Sequence, residues 1–167
     1  MMSKTYPTFE DTPILQELKE ALATYHRSPV GHTATYSYDD FFDQPLHISH
    51  RIRRGLPFDL FAKVQLLSPF SEEQWASYLG VSLKTLQRHR KQVNYTFKPL
   101  QAEKIIELME VLLLGRSVFD SATQFYHWLQ SPSAALGGER PDILLKDSYG
   151  QALVKSELHR IDQGVFA

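Results

Sequence analysis

The stretch that decides the fold is Ser71-Glu72-Glu73-Gln74-Trp75-Ala76-Ser77-Tyr78-Leu79-Gly80-Val81-Ser82-Leu83-Lys84-Thr85-Leu86-Gln87-Arg88-His89-Arg90-Lys91. Ser71 to Gln74 is a capping box, a serine hydroxyl placed for the amide three residues on and a glutamine reaching back. The helix it starts carries Trp75, Ala76 and Leu79 and stops at Gly80. Ser82 then caps a second helix. Two helices meeting at a sharp angle need glycine at the turn, a small residue where they cross and apolar residues facing the crossing. Gly80, Ala76, and Trp75, Leu79, Val81 and Leu86 meet those needs in turn. The pattern predicts a helix-turn-helix. It leaves Ser82, Leu83, Lys84, Gln87, Arg88 and Lys91 exposed on the second helix, side chains suited to phosphates and base edges in a major groove. Thr85, near the helix N-terminus, is placed for a phosphate. His89 sits where the packing pattern prefers an aliphatic side chain.

Outward from this motif the chain reads as helices separated by Pro, Gly and Ser. Toward the N-terminus, Pro57 to Leu67 and Ile48 to Arg54 are predicted helical, the latter ended by Gly55. Residues 32–46, rich in Thr, Tyr and Phe, predict an extended arm with room for a short strand, closed by Pro45. Before it, Pro13 opens a helix whose stripe Ile14, Leu18, Leu22 and Tyr25 suits either a seam with a second copy or packing on the helix-turn-helix. Toward the C-terminus, Leu100 to Leu114 is a helix with one apolar stripe, Ile105, Leu108, Met109, Leu112 and Leu113. Asp120 is placed to cap a helix to Gln130, Ser131-Pro132 to start a one-turn helix that Gly137-Gly138 stops, and Pro141 to start a turn through Leu145. Asp147 or Ser148 caps the last helix, which buries Val154, Leu158 and Ile161 and ends at Gly164. The expected fold class is all-α: an N-terminal helical segment (1–47), a central helix-turn-helix domain (48–98) and a C-terminal helical domain (99–167).

The chain has 167 residues, 18 Lys plus Arg against 19 Asp plus Glu, and no cysteine. The missing cysteines exclude a disulfide framework and a thiol nucleophile. The net charge of −1 hides segregation. Residues 1–47 hold 3 basic and 7 acidic groups, residues 48–98 hold 9 and 3, and residues 99–167 hold 6 and 9. A polyanion would dock on the middle segment and be repelled by the ends. The longest apolar run, Val111 to Leu114, is far too short for a membrane, and the N-terminus lacks a signal core, so a cytoplasmic setting is expected. Seven histidines occur without metal spacing, and no phosphate-binding or nucleophile motif is found. No enzymatic activity, cofactor or metal is expected. Sequence-specific binding to double-stranded operator DNA, as a homodimer, is.

Several motifs are more specific. Ile52-Arg53-Arg54-Gly55-Leu56-Pro57 and Lys84-Thr85-Leu86-Gln87-Arg88 flank and fill the helix-turn-helix. Val118-Phe119-Asp120, Trp128-Leu129-Gln130-Ser131-Pro132, Ala135-Leu136-Gly137-Gly138, Pro141-Asp142-Ile143-Leu144-Leu145, Gly150, Arg160-Ile161 and Gly164-Val165-Phe166-Ala167 follow. With these motifs the chain resembles the Xre/MbcA/ParS antitoxins of RES-type toxin–antitoxin pairs over about two-thirds of its length. The resemblance implies an all-α protein that neutralises a NAD⁺-consuming RES-domain toxin within a larger hetero-oligomer and represses its own promoter. It also implies a toxin contact at the C-terminus, by Arg160, Gly164, Val165, Phe166 and Ala167. Without a toxin, the motifs would suit a stand-alone helix-turn-helix regulator whose C-terminal domain binds another partner or effector.

Overall fold

The computed structural model describes residues 13–26 and 42–164. Among the described residues the fold is all-α apart from one minimal antiparallel ladder. In order, the described residues form α1 (Pro13–His26), α2 (Pro45–Arg54), β1 (Leu56–Pro57), α3 (Phe58–Leu67), α4 (Glu72–Tyr78) and α5 (Leu83–Arg90). Then come β2 (Thr96–Phe97), α6 (Pro99–Val118), α7 (Ala122–Gln130), a 3₁₀ turn (Ala134–Leu136), α8 (Pro141–Leu144) and α9 (Ser148–Asp162).

The centre is α6. Ala102, Ile105, Ile106, Leu108, Met109, Val111, Leu112 and Gly115 are all buried along it. This corrects the expected single stripe: the helix packs against α2 on one side and α9 on another, so apolar residues are needed around most of it. It is also longer than its expected span, 100–114, by a turn at the C-terminal end.

The N-terminal stripe is committed within the chain. Leu15, Leu18 and Leu22 are buried, and α1 packs along α3. Lys63 pairs with Glu17 at 3.0 Å across that contact. The Tyr25 hydroxyl lies 3.0 Å from the Arg51 carbonyl oxygen and 2.9 Å from that of Gly55, tying α1 to the end of α2. Of the stripe that suited either a dimer seam or a contact with the helix-turn-helix domain, Leu18, Leu22 and Tyr25 make the second contact, on residues 48–98; the side chain of Ile14 lies outside the described residues. The extended arm expected over 32–46 lies for the most part outside the described residues; Pro45, expected to close it, is the first residue of α2.

The ladder was not expected from the sequence. Leu56 pairs with Phe97 and Pro57 with Thr96. Gly55 makes it fit: its φ is +83°, and a β-carbon there would run into the Phe97 carbonyl oxygen. The ladder brings Phe97 onto Phe58 and Phe61, and Phe61 meets Trp75 edge to face at 5.2 Å. Offset aromatic contacts of this kind add about 0.5–1.5 kcal/mol each beyond their burial.

Two local expectations shift and a third is resolved. The cap of α7 is Ser121, whose Oγ accepts from the Gln124 amide at 3.2 Å, not Asp120. Ser131 closes α7, donating to the His127 carbonyl at 2.7 Å, and the following turn starts after Ser133. Of the two candidate caps for α9, Asp147 holds the role, accepting from the Gly150 amide at 2.8 Å.

Candidate nucleic-acid and partner-binding sites

The helix-turn-helix forms as its local signals require. The Ser71 amide donates to Gln74 Oε1 at 2.9 Å, and the Gln74 amide to Ser71 Oγ at 3.2 Å. At the other end of α4, Gly80 N–H donates to the Ser77 carbonyl at 3.2 Å and Val81 N–H to the Ala76 carbonyl at 3.0 Å. That pair of bonds is a Schellman motif, which needs a left-handed residue between the helix and Val81. Gly80 has φ +65°, and a β-carbon on it would meet no neighbour, so backbone conformation rather than crowding selects glycine. Trp75 is fully buried and donates from Nε1 to Ser68 Oγ at 2.8 Å. Leu79 and Leu86 are buried at the crossing, and Ala76 is the small residue there.

On α5 the Thr85 amide donates to Ser82 Oγ at 3.1 Å, and the two hydroxyls lie 2.9 Å apart. Thr85 is half-buried and Leu83 is half-buried, whereas Ser82, Lys84, Gln87, Arg88 and Lys91 are exposed. Lys84, Arg88 and Lys91 recur at four and three residues and so share one face. With Thr85 and Gln87 they line an open depression of about 310 Å³. Gln87 Nε2 donates to Glu72 Oε2 at 3.3 Å. Arg90 faces the other way. It pairs with Glu72 and donates to Gln65 Oε1 at 3.0 Å, bracing α5 against α3 and α4. The basic face therefore consists of Lys84, Arg88 and Lys91.

His89 stacks on Tyr95 with ring centroids 3.8 Å apart and points an edge at Phe97. An aromatic cluster on the return strand replaces the aliphatic contact the pattern called for. Burial pushes the Tyr95 hydroxyl up, with Arg88 pulling it back.

A second site signal lies between the helix-turn-helix and the C-terminal helices. The Tyr78 hydroxyl donates to the Asp142 carbonyl at 3.1 Å. The Asp142 carboxylate, nearly buried, takes two bonds from Arg140 at 3.0 and 2.5 Å. Burial, then the charge of Asp142, pushes the Tyr78 hydroxyl up, so it stays a donor. The sequence reading missed this junction; the residues are 64 apart and no local spacing links them.

At the C-terminal end, Arg160 Nη1 donates to Glu157 Oε2 at 2.7 Å on its own helix. Gly164 has φ +69° and follows the last turn of α9. Val165, Phe166 and Ala167 lie outside the described residues.

The arrangement is a helix-turn-helix with a basic face that no acidic side chain pairs among the described residues, joined to a second helical domain. Residues 47–110 match the antitoxin Xre-like helix-turn-helix domain, and residues 114–164 match the antitoxin Xre/MbcA/ParS C-terminal toxin-binding domain. The chain belongs to the Xre/MbcA/ParS antitoxin family. It is an antitoxin with a DNA-binding motif and a toxin-binding domain. No curated protein matches the chain in a sequence comparison. Both matched domains are binding domains. No helix among the described residues is long and apolar enough to cross a membrane.

Proposed function

We propose that the chain neutralises a NAD⁺-consuming RES-domain toxin and, bound to its own promoter as a homodimer, represses the pair's transcription. Residues 48–98 take the DNA and residues 99–167 take the toxin. The observation that carries the DNA half is the bare face of α5, where three cations stand without an acidic partner among the described residues, beside a capped helix N-terminus. Ser82, Leu83, Lys84, Thr85, Gln87, Arg88 and Lys91 are its contacts. The support for a RES toxin is the series of motifs from Val118 to Ala167.

A RES toxin must admit NAD⁺ through an open cleft, so filling that cleft is the most direct inhibition. Gly164, Val165, Phe166 and Ala167 are the proposed plug, anchored to a capped helix that reduces the chain entropy lost on docking. Arg160 would contact the cleft rim by exchanging Glu157 for a toxin carboxylate. The test is to purify the protein encoded beside this gene and follow NAD⁺ consumption with and without the chain, and to titrate the chain onto its promoter DNA. Full inhibition and a salt-dependent promoter complex support the reading. A neighbour that consumes no NAD⁺, or no promoter binding by folded protein, refutes the corresponding half.

A further inference from the structure

Large exposed apolar side chains occur at seven places among the described residues. Four of them, Leu46, Leu66, Val93 and Leu100, stand on four different segments: α2, α3, the turn after α5, and the start of α6. Single exposed apolar residues of that kind need no partner. The other three, Ile143, Tyr149 and Leu153, are concentrated on α8 and the first half of α9.

These three share one corner. A β-carbon on Gly150 would run into the Leu144 carbonyl oxygen, so the first turn of α9 lies directly on the end of α8. Ile143 and Tyr149 are the chain neighbours of those two residues. Tyr149 and Leu153 are four apart and form one ridge of α9. Tyr149 is 89% exposed, although Gly150 and Gln151 beside it are buried. Ala152 and Ser156, also exposed, continue this face, and Glu157, one turn beyond Leu153, is held by Arg160 at 2.7 Å. The base beneath is fixed. Asp147 caps the helix, Gln151 Nε2 donates to the Leu145 carbonyl at 3.0 Å, and Leu145, Val154 and Leu158 are fully buried.

An apolar patch carrying a tyrosine, on a packed base and bordered by an ion pair, is the composition of an interface core with a polar rim: little side-chain freedom is lost and water is excluded on contact. The whole ridge lies within residues 114–164, matched to the toxin-binding domain. We infer that Tyr149, Leu153 and Ile143 are the apolar centre of the surface on which the toxin docks. The occupant is the toxin rather than a second copy because the ridge belongs to the domain that binds it and runs along α9 toward the proposed plug. This inference rests on the antitoxin reading and deepens it: the toxin is gripped along α9 as well as at the chain end.

The test uses the full chain and the purified protein encoded beside its gene. Tyr149→Ser and Leu153→Ser are made singly and together, with Leu66→Ser as the exposed control. All four should melt close to the parent, since exposed substitutions change stability little. Each single variant at the ridge is expected to weaken toxin binding about tenfold or more, and the pair about a hundredfold, by calorimetric titration. Leu66→Ser should bind as the parent does. A double variant that binds the toxin at parental affinity overturns the inference. So does one that loses a parental dimer on light scattering while its toxin affinity holds, since the ridge would then serve a second copy. A parent chain that does not bind the neighbouring protein overturns both this inference and the proposed function.

Discussion

Arg88 and Arg90 are two residues apart on one helix, and the structure gives them opposite duties. Arg90 is bound to Glu72 and Gln65, while Arg88 stands exposed with Lys84 and Lys91. Alanine at Lys84, Arg88 or Lys91 removes a cation from the proposed DNA face. Each phosphate contact contributes about 0.9 to the slope of log affinity against log salt, so each loss should flatten that slope by about 0.9 per bound copy. If Arg88 reads a base edge, its loss also costs about 1–3 kcal/mol and relaxes one operator position.

Arg90→Ala breaks a pair whose side chains are 47% and 30% exposed, so the pair is worth at most about 1 kcal/mol. For a chain of this size that lowers the melting temperature by roughly 2–4 °C, and the salt slope should stay parental. The assay is fluorescence anisotropy on promoter DNA from low to moderate salt, with a thermal melt of each variant. An Arg90→Ala protein that melts normally yet loses the same slope as Arg88→Ala would refute the division. Glu72→Gln is the companion test: it removes the anion holding both Arg90 and Gln87, and should strengthen promoter binding while slightly lowering stability.

Other outcomes are expected. Deleting residues 164–167 should leave fold and promoter binding intact but free the toxin's NAD⁺-consuming activity; full neutralisation by the truncated chain would place inhibition on the 118–160 surface instead. Tyr25→Phe removes the hydroxyl shared by the Arg51 and Gly55 carbonyls and should cost about 1–3 kcal/mol in urea unfolding. Burial raises the Tyr25 hydroxyl from 10.0 to about 12, so the unfolded chain ionises first and stability falls as pH rises between those values. Tyr25→Phe should flatten that alkaline decline, and an unchanged decline would refute Tyr25's part in it. Gly80→Ala meets no neighbour and should cost only the left-handed backbone, about 1–2 kcal/mol, whereas Gly55→Ala must also open the β-ladder and should cost clearly more. Equal losses in denaturant melts would contradict that ranking.

What the sequence made legible was written within a few residues. Ser71, Gly80, Ser82 and Asp147 act on groups at most five positions away, and their roles followed from those short spacings. What it hid depended on distant partners. Leu56 and Phe97 are 41 positions apart and their ladder is two residues long, too short to leave an alternation in the sequence. The stripe on α1 announced that an apolar surface would cover it, but amphipathicity cannot say whether that surface belongs to α3 or to another copy. Lys84, Arg88, Arg90 and Lys91 look alike as letters; only the placement of Glu72 and Gln65 separates the bracing arginine from the free cations. The ridge of Tyr149 and Leu153 was passed over for a related reason. In α9 the buried Val154 and Leu158 carry the helical period, and an exposed tyrosine and leucine beside them read as part of the same core until the fold shows which side faces α6.

The two binding surfaces belong to one body. Helix α6 has 20 residues, about 30 Å, and packs against both α2 and α9. The buried cluster runs without a break from Leu15 through Trp75 and Leu108 to Leu158. Tyr78, on the first helix of the DNA-binding motif, donates its hydroxyl to the α8 backbone two residues before Leu144, whose carbonyl seats Gly150. The recognition helix and the α9 ridge are therefore held at a fixed separation by shared packing, with no linker between them to absorb strain. The charges are divided along the same frame, the excess of cations in residues 48–98 and the excess of anions in residues 99–167. A polyanion is therefore drawn to residues 48–98 and repelled by residues 99–167.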